Sequence, residues 1–135
     1  MNIKYINLFE SQTGAKVLDC LAEDELFGFI VHEGDMGLAI GKGGKNIGKI
    51  KNKLKKNIVV VEYADKPKKF IENLFTPVKL KKIEFKEEDG KKKAIIMAAR
   101  KDRGRILGPE GSKIKIARKL AQRHHNISHI QLQTS

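Results

Sequence analysis

The octet Ile40-Gly41-Lys42-Gly43-Gly44-Lys45-Asn46-Ile47 returns 67 residues later as Leu107-Gly108-Pro109-Glu110-Gly111-Ser112-Lys113-Ile114. Both outer glycines and the closing isoleucine keep their places. Self-similarity at a fixed offset is the mark of a chain built from copies of one unit. With 135 residues in all, each copy is close to the smallest size at which a domain can bury a useful core. The boundary is expected near Ala64 to Pro67, which gives units 1–65 and 66–135.

The flanking segments recur as well. In the first copy, Tyr5 to Thr13 is predicted to be a helix ending near Gly14. Strands follow at Lys16 to Leu21 and Leu26 to Val31, with Glu23-Asp24-Glu25 as the turn. A short helix precedes the glycine loop. Beyond the loop, Asn46 to Lys56 places Ile47, Ile50 and Leu54 on one helical face. The strand Ile58 to Val61 closes the unit. In the second copy, Pro67 opens a helix that stops before Pro77. A strand is predicted from Val78 to Phe85, with a bulge where its alternation slips at Lys81-Lys82. Asp89-Gly90 is a hairpin signal into Lys93 to Ala98. Ser112 is expected to N-cap a helix reaching His124 that turns Ile114, Ala117, Leu120 and Ala121 inward, before a strand from Ile127 to Leu132.

The repeated tetrads have a chemistry of their own. Glycines let the backbone approach a ligand closely, and amides left free at the start of the next helix attract anions. The anion suggested is phosphate. Two familiar phosphate loops do not fit the letters. A Walker loop needs Gly-Lys followed by Ser or Thr, and the candidates here continue with Gly43, Asn46 and Ile50. A dinucleotide fingerprint starting at Gly41 needs glycine where Asn46 stands.

Charge narrows the ligand further. The chain has a net charge of +12, which favours a polyanionic partner. Residues 66–135 carry 19 basic groups against 7 acidic, whereas residues 1–65 are balanced at 9 each. Within the first copy, the basic residues concentrate in one block from Lys42 to Lys56, after an acidic segment that includes Asp19 to Asp35.

The octet around Gly41 resembles the signature of K-homology (KH) RNA-binding domains, and the element order resembles their type II form, αββααβ. The pair resembles the tandem KH region of NusA-like transcription termination factors, over essentially the whole chain. The resemblance implies an α+β fold of two type II KH domains, each a three-stranded mixed sheet with helices packed on one face. It implies single-stranded RNA as ligand, clamped by its backbone at the loop while its bases lie along an aliphatic groove. Carried over by position, Gly41, Lys42, Gly43 and Gly44 hold phosphates, Ile40 and Ile47 lie near the groove, and Lys45 and Lys49 stand at its rim. In the second domain Gly108, Pro109, Glu110 and Gly111 fill the loop, with Leu107 and Ile114 as the groove residues. Glu110 departs from the pattern, because a carboxylate repels phosphate. Lys101, Arg103, Arg105 and Lys113 are close enough in sequence to compensate, and the alternative is that the second loop only packs or orients. The first domain is thus expected to be the better clamp, and the second to supply most of the long-range attraction.

The same resemblance implies a role in transcription termination or antitermination, with RNA polymerase or the transcription elongation complex as partner. The length leaves no room for the polymerase-binding N-terminal domain or the S1 domain of bacterial NusA. A ribosome-associated or ribosome-assembly factor that binds ribosomal RNA is the alternative. No enzyme activity and no cofactor are expected, since no nucleophile, base and orienting acid can be assembled. His124, His125 and His129 lack the accompanying cysteine or carboxylate cluster of a metal site. Phe27, Phe29, Phe70, Phe75 and Phe85 fall in apolar patterns that suit core packing better than base stacking. One cysteine, Cys20, no secretory leader and no apolar run of membrane-spanning length together suggest a cytoplasmic protein.

Overall fold

A computed structural model of the chain describes residues 3–135, which divide into two compact units between Ala64 and Asp65. In the first unit the order is α1 (Ile3–Thr13), β1 (Val17–Glu23), β2 (Leu26–Val31), α2 (Met36–Ile40), α3 (Lys45–Leu54) and β3 (Asn57–Glu62). The second unit repeats it with α4 (Pro67–Leu74), β4 (Lys82–Glu88), β5 (Lys91–Ala98), α5 (Arg103–Leu107), α6 (Ser112–His125) and β6 (Ile127–Thr134). Each unit has one three-stranded sheet, ordered β1-β2-β3 and β4-β5-β6. In both, the first pair is antiparallel and the second parallel. The parallel pair is possible because the two helices and the loop between them supply the long crossover that parallel neighbours require. The glycine loop therefore lies within the crossover.

The core of the first unit follows from alternation along β2. Phe27, Phe29 and Val31 share one sheet face and pack in a cluster with Ile6 and Phe9 of α1, Ala39 of α2 and Ile50 of α3. Phe9 and Phe29 stack with ring centroids 4.4 Å apart, and Tyr5 tilts against Phe27 at 4.9 Å. Such pairs contribute about 0.5–1.5 kcal/mol beyond their area. In the second unit α6 turns Ile116, Ala117, Leu120 and Ala121 inward, all at 2% exposure or less. Phe70 and Phe75 are also fully buried. Phe85 departs from the core expectation: it is half-buried on β4, and the Lys92 ammonium covers its ring at 4.7 Å. Cys20, the single cysteine of the sequence, is buried.

Three local expectations are corrected. The strand predicted from Val78 begins only at Lys82, because Val78 satisfies its apolar character inside a turn: its amide donates to the Phe75 carbonyl at 2.9 Å, and its side chain is buried. The β4–β5 ladder is regular, so no bulge forms at Lys81-Lys82; the register shifts lie at Val17/Asp19 and Lys92/Lys93. Ser112 is the first residue of α6 and makes no capping bond, because Gly111, in the left-handed region, occupies the cap position. The Asp89-Gly90 turn forms with both residues at positive φ, as a two-residue hairpin of this twist requires. No helix among the described residues is long and apolar enough to cross a membrane.

Candidate nucleic-acid interface

The two glycine loops have the same backbone frame. The Gly41 amide donates to the Gly37 carbonyl at 2.9 Å, and Gly44 donates to Gly41 at 3.1 Å. At the same offset, Gly108 donates to Gly104 at 2.9 Å and Gly111 to Gly108 at 3.0 Å. Each loop is one 3-10 turn between a five-residue helix and a longer one. The long helix starts without a side-chain cap in both units; its first amide donates to the backbone instead, Lys45 to the Lys42 carbonyl and Ser112 to that of Pro109.

The glycines serve different purposes. Gly41 (φ 77, ψ 168) and Gly108 (φ 73, ψ 171) take a conformation that is essentially confined to glycine. They also sit against the next helix: a Cβ at Gly41 would fall 2.7 Å from Asn46 Cγ and 2.8 Å from Asn46 N. At Gly108 it would fall 2.7 Å from Lys113 Cβ. The third position is left-handed in both loops, at φ 61 for Gly43 and φ 55 for Glu110. A Cβ at Gly43 meets nothing within 4 Å, so this position tolerates a side chain at the cost of backbone strain alone. Glu110 carries that strain. Glu110→Gly is expected to stabilise the second unit by about 0.5–1 kcal/mol, the left-handed penalty less the entropy of glycine. A rise of a few degrees in its thermal midpoint checks this.

In the first unit Lys42, Gly43, Lys45 and Lys49 are exposed, Gly41 and Gly44 are partly exposed, and Ile40 and Ile47 are half-buried. Ile47 packs on the edge of the core. In the second unit Pro109, Glu110, Lys101, Arg103 and Arg105 are exposed, and Leu107, Gly108, Gly111 and Lys113 are half-buried. Ile114, at 3% exposure, lies within the core and offers little surface to a groove. Burial, then the charge of Arg105, holds the Lys113 ammonium below the usual lysine range.

Two further residues stand at the loop and were not legible from the sequence. Asn46 ties α3 to α2 by donating its Nδ2 to the Leu38 carbonyl at 2.7 Å. Leu38 itself is half exposed, four residues before Lys42. The offset of 67 was the available signal, since it sets Leu38 opposite Arg105 and Asn46 opposite Lys113. Among the described residues, no group of three histidine, cysteine or carboxylate side chains could hold a metal ion.

The chain matches the family model for the KH domain over residues 4–90. It is 37% identical to a probable transcription termination protein NusA of Methanocaldococcus jannaschii, over 96% of this chain and 71% of that protein. A protein of the same description from Halobacterium salinarum is 35% identical, over 94% and 91%. The crystal structure of APE1850 superposes with a TM-score of 0.79 at 33% identity, covering 97% of this chain and 96% of that one. The family match ends at Gly90, before the second loop, yet these relatives align along nearly the full chain and the second loop repeats the backbone bonds of the first. The chain belongs to the KH-domain family and, within it, to the archaeal NusA-like proteins with two such domains in tandem.

Proposed function

We propose that this protein binds single-stranded RNA without catalysis and acts in transcription termination or antitermination. The observation that carries the reading is the first glycine loop: a glycine-built turn with no side-chain cap on the helix it opens and with Lys42, Lys45 and Lys49 exposed around it. Backbone amides and ammonium groups so placed suit the phosphates of a short stretch of single strand. Gly41, Lys42, Gly43 and Gly44 hold the backbone, Lys45 and Lys49 attract it, and Ile40 and Ile47 border the base groove. In the second unit Leu107, Gly108, Pro109, Glu110 and Gly111 occupy the matching positions, Ile114 supports them from the core, and Arg103, Arg105 and Lys113 supply positive charge.

The buried aromatics support a backbone clamp over a stacking platform, since Phe29, Phe70 and Phe75 present no face to solvent. The names of the relatives support the transcriptional role, and the elongation complex in the cytoplasm is the assembly this reading assigns to it. Affinity capture of the tagged protein from its own cells, followed by RNA sequencing and protein identification, tests this. Recovery of RNA polymerase subunits with nascent transcripts is the expected result. Recovery of ribosomal subunits with ribosomal RNA would replace it with a role in ribosome assembly.

A further inference from the structure

The two loops share a backbone frame but differ in chemistry at four equivalent positions. Lys42 corresponds to Pro109, Gly43 to Glu110, Leu38 to Arg105 and Asn46 to Lys113. The first two differences weaken the second loop as a phosphate clamp. Pro109 has no amide hydrogen to offer where Lys42 has one, and Glu110 adds a negative charge. The last two differences add cations on the helices that flank the loop. Arg105 is exposed on α5, and Lys113 lies half-buried in the first turn of α6. The two helices pack on each other, and Gly108 lets the backbone run against the Lys113 stem.

In the first unit the equivalent positions touch, Asn46 Nδ2 donating to the Leu38 carbonyl at 2.7 Å, so the shared loop frame and the packing of α5 on α6 set Lys113 beside Arg105, whose charge helps hold the Lys113 ammonium below the usual lysine range. Among the described residues neither takes part in an ion pair. Two cations held together, one of them partly desolvated, form an arrangement that an anion between them relieves. Resting on the RNA-binding reading above, we propose that the second unit grips an RNA phosphodiester between Arg105 and Lys113, off its glycine loop, while the first unit grips one on its loop. Glu110 then keeps the strand off the second loop and directs it to the helices. At the position of Arg105 the first unit exposes Leu38, an apolar surface suited to a base rather than a phosphate.

The first unit supplies folded templates for the test. Arg105→Leu and Lys113→Asn install its own residues at sites where the backbone is equivalent, so the second unit is expected to keep its fold, checked by circular dichroism. The probe is an eight-nucleotide single-stranded RNA, titrated by fluorescence anisotropy over a range of salt. The combined variant is expected to bind about tenfold more weakly, and its salt slope to shrink by about 0.7, the share of one phosphate on a single strand. A control, Lys86→Gln with Lys91→Gln, removes one positive charge from β4 and one from the first residue of β5, at the hairpin end of the sheet, and is expected to change affinity by less than about twofold. Unchanged affinity in the Arg105 and Lys113 variant, or an equal loss in the control, would overturn this inference and leave the RNA-binding reading in place. A wild-type protein that binds no RNA would overturn both.

Discussion

Gly41→Ala is expected to destabilise the first unit by about 3 kcal/mol, through steric overlap and backbone strain acting together. A Cβ there would lie 2.8 Å from the backbone nitrogen of Asn46 and 2.7 Å from its Cγ. A rotamer change can move Cγ but not the backbone nitrogen, so α3 would have to shift away from α2. That shift would stretch the bond from Asn46 Nδ2 to the Leu38 carbonyl, now 2.7 Å. The φ and ψ of 77 and 168 add a further penalty for any residue with a Cβ. Against a total stability of about 5–15 kcal/mol for a small domain, such a loss is large. Gly43→Ala is the informative companion: it meets no neighbour within 4 Å and is expected to cost only about 1 kcal/mol of left-handed strain. Urea unfolding of the two variants checks the pair, and a Gly41→Ala protein no weaker than Gly43→Ala would refute the close approach of loop and helix.

The largest effect on binding is expected from Lys42→Asp combined with Gly43→Asp. The pair removes one cation and places two carboxylates in the loop proposed to hold phosphate, for a loss of RNA affinity of about 100-fold, or ~2.7 kcal/mol. The second unit indicates that the fold survives the change. Glu110 already occupies the position of Gly43 at φ 55, and aspartate tolerates the left-handed region better than most residues. Pro109 and Lys42 are both exposed, so substitution there disturbs no packing. Loss of binding with an unchanged circular dichroism spectrum therefore reports on the contact with RNA and not on unfolding.

Much of this molecule is legible in its sequence, because the offset repeat lets each half check the other. The order of helices and strands, the Asp89-Gly90 hairpin and the inward faces of α3 and α6 all follow from local signals that the tertiary fold reinforces. The failures have physical causes. Val78 and Leu80 look like the start of a strand, but the turn after α4 buries Val78 without one. Ser112 looks like a cap, yet a glycine tetrad turns the chain into the helix directly and needs no side chain to start it. The exposure of Leu38 could not be read because a five-residue helix is too short to display a period. Nor could the half-burial of Lys113, which follows from a close approach that only the backbone of Gly108 permits.

The first glycine loop is proposed to hold the phosphate backbone of single-stranded RNA. Equilibrium titration of a short single-stranded RNA with wild-type protein and with the Lys42→Asp/Gly43→Asp variant, repeated at increasing salt, tests it most directly. Wild-type affinity is expected to fall with salt at about −0.7 per phosphate neutralised, and the folded variant to bind about 100-fold more weakly with a shallower slope. Equal affinity and equal slope for the two proteins would contradict the claim.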